Sequence, residues 1–256
     1  MNLHIDHYGD PNAQPLVLLH GWAMHGGIFA GWAAQLAAHF HVLVVDLPGH
    51  GHSRTLALSF DETADQLIAQ LAIYSNAIWC GWSLGGALAT RIAARAPSDQ
   101  VRALVCIASN PKFVASADWP DGMQASIFSG FADALASDWQ AVVQRFLALE
   151  AMGSASAGDS LRLLQAQVFA RGQPSIGALQ QGLQNLAELD LRADLAALRC
   201  RSLWIAGARD RLVSLKAMQK AAALANGEFV QITSAGHAPF LHAEEQLTEL
   251  LRTLVV

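Results

Sequence analysis

The chain has 256 residues, of which 53% are hydrophobic and 14% charged, with a net charge of −5 at pH 7. A charged share this far below the roughly 25% of an average soluble domain indicates a large core and excludes a disordered chain, while the negative balance gives no footing for a nucleic-acid partner. No apolar run reaches the ~18–20 residues that span a bilayer, so no membrane partner is expected.

The opening MNLHIDHYGD has neither a basic stretch nor an apolar one, so no signal peptide is read there. Six short apolar runs follow: Leu16–Leu19, His41–Val45, Ala77–Cys80, Val101–Ala108, Ser202–Ala206 and Glu228–Thr233. Unbroken rather than alternating, they suit strands buried on both faces of a parallel sheet. Helical patterns lie between them at Trp32–His39, Glu62–Ile73, Gly86–Ala96 and Leu215–Ala225. Strand–helix repetition of this kind predicts an α/β doubly wound sheet with helices on both faces.

From Pro111 to about Arg199 the rhythm breaks and helical segments follow one another. Ser137–Met152 carries apolar residues at helical spacing and Gly153 would stop it; Asp159–Ala170 ends near Gly172, and Pro174 can begin the next helix. The expected organisation is a core of residues 1–110 and 200–256 with a helical lid at 111–199. The three cysteines, Cys80, Cys106 and Cys200, each lie in or beside an apolar run and read as free thiols of a cytoplasmic protein.

Gly81-Trp82-Ser83-Leu84-Gly85 fits G-x-S-x-G between a predicted strand and a predicted helix. A serine on so tight a turn stands clear of the sheet, and glycines flank it because side chains there would collide with neighbouring elements. A hydroxyl needs a base, and the base an orienting acid. In chain order these are Asp210, in GARD after the fifth run, and His237, in SAGHAPF after the last. Asp46 precedes the serine and suits a turn; His242 suits a cap or pair on the last helix; His50 and His52 lack further ligands, so no metal is expected. The oxyanion donors read as the N–H of Leu84 and the N–H of Trp22, in the His20-Gly21-Trp22 turn.

With these motifs in order, the chain resembles the α/β-hydrolase superfamily over its full length. HGWAMHG, DLPGHGHSR, WCGWSLGG, RFLALEAMG and AGHAPFLH are further similar to the esterases of biotin synthesis that act on the methyl ester of pimeloyl-[acyl-carrier protein]. That likeness implies a serine carboxylesterase that needs no cofactor, partnered by the acyl carrier protein and otherwise monomeric. It implies that Phe146, Leu147, Leu149 and Glu150, with Trp22, Trp82, Ser83, Leu84 and His237, hold the acyl chain. It also implies that lid arginines meet the acidic carrier. Arg145 and Arg162 keep two such positions, Ala141 and Gly158 stand at others, and Arg171 is a further candidate. Because Lys112, Arg145, Arg162 and Arg171 face a surplus of acidic residues between Pro111 and Glu188, a weaker or displaced carrier contact is expected. A generalist esterase, a lidded carbon–carbon bond hydrolase and, less favoured, a non-catalytic hydrolase-fold binding protein remain alternatives; Ser83 at the turn disfavours an aspartate-nucleophile enzyme.

Overall fold

A computed structural model describes residues 2–154 and 156–255. The chain runs β1 (Ile5–Tyr8), β2 (Gln14–Leu19), α1 (Ala30–Leu36), β3 (Phe40–Val45), α2 (Phe60–Gln70), β4 (Ala77–Trp82), α3 (Leu84–Arg95) and β5 (Val101–Ile107). Helices α4 (Ala125–Leu135), α5 (Trp139–Ala151), α6 (Ala157–Gln167), α7 (Ile176–Glu188) and α8 (Arg192–Ala197) come next, and then β6 (Arg201–Gly207), α9 (Leu215–Leu224), β7 (Glu228–Ile232) and α10 (Glu244–Arg252).

The strands form one sheet in the order β1-β3-β2-β4-β5-β6-β7. Every pair is parallel except β1 with β3. All residues of β3 and β4 are buried, as the unbroken apolar runs require of strands covered on both faces. The chain leaves β2 for β3 on one side, then crosses back to place β4 on the other. This reversal opens a crevice at the carboxyl ends of β2 and β4, where open α/β sheets take their ligands.

β1 is the strand that the apolar runs did not disclose. Its sequence, IDHY, is short, polar and only partly buried, and backbone pairing of Ile5–Tyr8 with Val42–Val45 carries it at the sheet edge. α2 begins two residues before its apolar pattern because Ser59 and Glu62 form a reciprocal capping box. α3 begins at Leu84, immediately after the turn serine, rather than at Gly86.

Between β5 and β6 the described residues hold α4–α8 and two isolated bridges, Val114–Met123 and Ser116–Trp119. Ser175 caps α7, leaving Pro174 just outside the helix it was expected to begin. α5 buries Val142, Val143, Phe146, Leu147, Glu150 and Ala151 on one face, and Gly153, at φ +86°, turns the chain beyond its end. No helix among the described residues is long and apolar enough to cross a membrane.

Candidate active site

Ser83 occupies the turn from β4 into α3 with φ +54° and ψ −121°. A left-handed φ at a residue with a side chain costs on the order of 1–3 kcal/mol and persists only where its surroundings hold it. The Ser83 N–H donates to the Ile107 carbonyl (2.9 Å), while the Ser83 carbonyl accepts from the Gly86 N–H (2.9 Å). The flanking glycines allow the close approach. A Cβ on Gly81 would lie 2.5 Å from the Gly86 nitrogen and closer still to the Gly85 carbonyl; one on Gly85 would strike the carbonyls of Leu19 and His20.

His237 lies on the loop after β7, buried, with its Nδ1 2.8 Å from Asp210 Oδ2. Asp210, after β6, has its other oxygen fixed by the N–H groups of Leu212 (2.7 Å) and Val213 (3.0 Å). Both residues therefore stand at the carboxyl edge of the sheet, as Ser83 does. The network sets the tautomer: Nδ1–H donates to the carboxylate and leaves the Nε2 lone pair free. Among the described residues Nε2 has no hydrogen-bond partner, so the Ser83–His237 contact is not closed in this state. Such bonds commonly tighten when substrate binds. Burial alone would lower the His237 pKa, but the Asp210 charge and hydrogen bond hold it above the ordinary imidazole value.

Trp82 is tied to the same loop. Its indole N–H donates to the His237 carbonyl (2.8 Å), and its ring stands 5.7 Å from the imidazole and 5.0 Å from Phe240. The expectation that it lines the acyl pocket meets a fully buried side chain that braces His237 instead.

The His20-Gly21-Trp22 turn reaches the serine from the end of β2. A Cβ on Gly21 would sit 3.3 Å from Ser83 Cβ, so glycine lets the two turns touch. Among the described residues neither the Trp22 nor the Leu84 N–H is engaged by another group. His20 pins this turn: Nδ1–H donates to the Gly21 carbonyl (2.8 Å) and Nε2 accepts from the Leu47 N–H (2.9 Å). Burial, helped by nearby His50, pushes its pKa down to about 3, so it stays neutral and can play both parts. Nothing in the His-Gly pair taken alone assigns His20 that task, because Leu47 comes near only in the fold. The Trp22 indole donates to the Leu179 carbonyl on α7 (2.9 Å), and its ring lies 4.6 Å from Phe146 of α5.

Phe146, Leu147 and Glu150 are buried on the inner face of α5 and Leu149 is half-buried. The cavity beside the nucleophile turn has other walls. It measures about 360 Å³ and lies between the Leu56–Phe60 segment and α7, with Leu84, Leu88, Ala178 and Gln181 on its sides. Leu84 belonged to the expected acyl site, and Leu47, Pro48 and His50 of DLPGHGHSR also line the cavity; the other walls came from segments without a motif, which the folding of α7 over the sheet brings beside Leu84.

The arginines divide. Arg145 is exposed and stacks 5.4 Å over the Phe131 ring, and Arg162 is exposed beside Asp159. Arg171 departs from expectation: it is largely buried and pairs with both Asp46 and Asp6, so its charge is already committed. Asp46 is fully buried and also accepts from the N–H groups of Gly26 (2.7 Å) and His52 (2.8 Å). Burial alone would raise its pKa, and these donors with Arg171 bring it below the usual range. Replacing Arg171 with Met strands a buried carboxylate, so a loss of about 3–5 kcal/mol in urea denaturation is expected at neutral pH. His242 bonds Ser160 of α6 (2.8 Å) rather than its own helix. His4, Asp46 and His52 come together, but with the Arg171 guanidinium on Asp46 the cluster already holds its cation.

A nucleophile turn after a central strand, an acid and a histidine on the two following edge loops, and a sheet reversing at β2 and β4 define the serine-hydrolase class of α/β enzymes. The sequence profile described as the alpha/beta hydrolase fold matches residues 14–244, and the chain belongs to this family and is a hydrolase. It is 46% identical to a protein of Xanthomonas oryzae pv. oryzae (strain MAFF 311018) named pimeloyl-[acyl-carrier protein] methyl ester esterase, over 99% of this chain and 98% of that one. A protein of the same name from Stenotrophomonas maltophilia (strain R551-3) is 47% identical over 95% of this chain and 93% of its own. Among solved structures, an esterase from Exiguobacterium antarcticum superposes with a TM-score of 0.87 at 21% identity, covering 99% of this chain and 95% of its own. A bromoperoxidase from Bacillus anthracis does so with 0.87 at 20% identity, over 99% and 95%. At that identity these two speak for the fold alone.

Proposed function

We propose that the protein is a serine carboxylesterase that hydrolyses the methyl ester of pimeloyl-[acyl-carrier protein], releasing methanol. The observation that carries this reading is the near-full-length identity to relatives of that name, joined to a buried His237–Asp210 pair at the edge where Ser83 turns.

In this mechanism Ser83 Oγ attacks the ester carbonyl while His237 Nε2 takes its proton. Asp210 orients the ring and stabilises the imidazolium. The N–H groups of Trp22 and Leu84 receive the oxyanion, helped by the N-terminus of α3. Methanol departs with the proton from His237, and water, activated by the same histidine, clears the acyl-enzyme. The chain's own groups suffice for each step. The apolar cavity between the Leu56–Phe60 segment and α7 is of a size that takes small ligands and suits the methylene chain. Phe146, Leu147, Leu149 and Glu150 close the site from the α5 side. Arg145 remains available to the carrier, and Arg162, exposed, would reach it by parting from Asp159.

The test is mass spectrometry of pimeloyl-[acyl-carrier protein] methyl ester after incubation with the enzyme. Loss of one methylene-equivalent mass from the carrier species is expected; release of the whole acyl group would make the protein a thioesterase. In the same assay Arg145→Glu with Arg162→Glu should lower kcat/KM for the carrier-linked ester at low salt and leave the free methyl ester unaffected.

A further inference from the structure

We propose that Glu150 is a proton-holding positioning residue: uncharged, it lets the end of α5 seat against the loops of Asp210 and His237, and on ionising it disables the site. The proposal rests on His237 being the general base.

Glu150 lies in the last turn of α5, on the helix's buried face. It is 1% exposed, and among the described residues neither carboxyl oxygen has a hydrogen-bond partner. A buried carboxylate without a partner is among the least tolerable groups in a protein interior, so the residue must be neutral there or recruit a counter-charge. The chain just beyond it is wedged onto the site. A Cβ on Gly153 would strike the Arg209 carbonyl, and one on Gly236 would lie 3.0 Å from the Met152 carbonyl and 3.0 Å from the Ser154 nitrogen. The end of α5 thus rests on the residues next to Asp210 and His237.

The groups facing the carboxyl are few. His237 acts on it from the β7–α10 loop and Asp210 from the β6–α9 loop. The nearest charges on the other elements packed against α5 point away: Asp159 and Arg162 of α6 pair with each other at the surface, and Asp133 of α4 is exposed. Arg145, one turn earlier, is exposed over Phe131. Burial first, and then the Asp210 charge, raise the carboxyl to about 8 against the attraction of His237. At neutral pH Glu150 therefore keeps its proton.

When the O–H proton passes to solvent hydroxide, a carboxylate is left buried without a partner beside a neutral His237. It is satisfied by drawing water, which unseats the end of α5 and opens the site. The Asp210 charge, on the same side of the carboxyl, adds repulsion that favours the unseating.

The experiment compares wild type, Glu150→Gln and Glu150→Leu with p-nitrophenyl butyrate, a substrate that needs no carrier, so the outcome is independent of whether the natural ester is the pimeloyl one. With titration near pH 8 about one-tenth of the wild type stays protonated at pH 9, so kcat/KM should fall about tenfold from pH 7 to pH 9. In both variants that ratio should stay near one, whatever their absolute rates. A wild type that is flat over this range, or variants that fall as it does, overturns the proposal; a merely structural role would lower the rate equally at all pH values. Stability gives a second reading. A carboxyl raised by folding binds its proton more tightly in the folded chain, so its contribution is lost as pH rises from the unfolded value towards 8. The Tm of Glu150→Gln should accordingly exceed that of wild type by a margin that grows from pH 5 to pH 8, and a constant margin counts against the idea. Should neither variant fold, infrared titration of the wild type decides: a protonated-carboxyl carbonyl band must persist at pH 7 and vanish near pH 8–9.

Discussion

Ser83→Ala should abolish ester hydrolysis while leaving the fold intact. Among the described residues the Ser83 hydroxyl makes no hydrogen bond that holds the structure, and the backbone bonds that fix the turn, to Ile107 and from Gly86, are independent of the side chain. Alanine meets the same cost at φ +54° as serine does, so the Tm should move little. The chemistry loses its nucleophile. For triad groups that act as a unit the expected fall in kcat is on the order of 10⁶, leaving roughly 10³–10⁴ over water from oxyanion binding and positioning. His237→Ala should cost about as much, and the double variant little more. Turnover of p-nitrophenyl butyrate by purified variants checks this; Ser83→Ala retaining activity within tenfold of wild type would remove Ser83 from the mechanism.

Gly81→Ala should damage the fold itself. The added methyl group meets the backbone of Gly85 and Gly86, with the Gly86 nitrogen at 2.5 Å and the Gly85 carbonyl nearer. No side chain can rotate away, so the first turn of α3 must shift from β4. Overpacking against movable side chains costs about 1–3 kcal/mol, and a collision with fixed backbone belongs at or above the top of that range. A large drop in the urea midpoint should accompany a loss of kcat, because the same shift displaces Ser83 and the Leu84 N–H. Gly130→Ala is the matching control. It lies in α4 with nothing within 4 Å of the new methyl, and it should stabilise by about 0.5–1 kcal/mol. Equal stability changes at the two glycines would show that close approach is not what Gly81 serves.

Much of the sheet is legible in the chain because buried parallel strands leave unbroken apolar runs. Where burial weakens, legibility goes with it: IDHY at the edge has its place from pairing with β3, not from its own side chains. Arg171 shows a different limit. Its neighbours in the chain give no hint of Asp6 and Asp46, 165 and 125 residues away, and only their meeting removes it from the surface. Glu150 likewise fits a helical pattern whose face is undefined until α5 docks.

The order of motifs along the chain, from His20-Gly21-Trp22 through Ser83 and Asp210 to His237, determined the fold family and nominated the reacting groups, because a strained turn and a serine–acid–histidine sequence constrain residue type locally. Tertiary structure decided which groups are neutral, which charges are neutralised and where open volume lies next to Leu84. Those properties depend on desolvation and on partners distant in sequence, and neither exists until the helices close over the sheet.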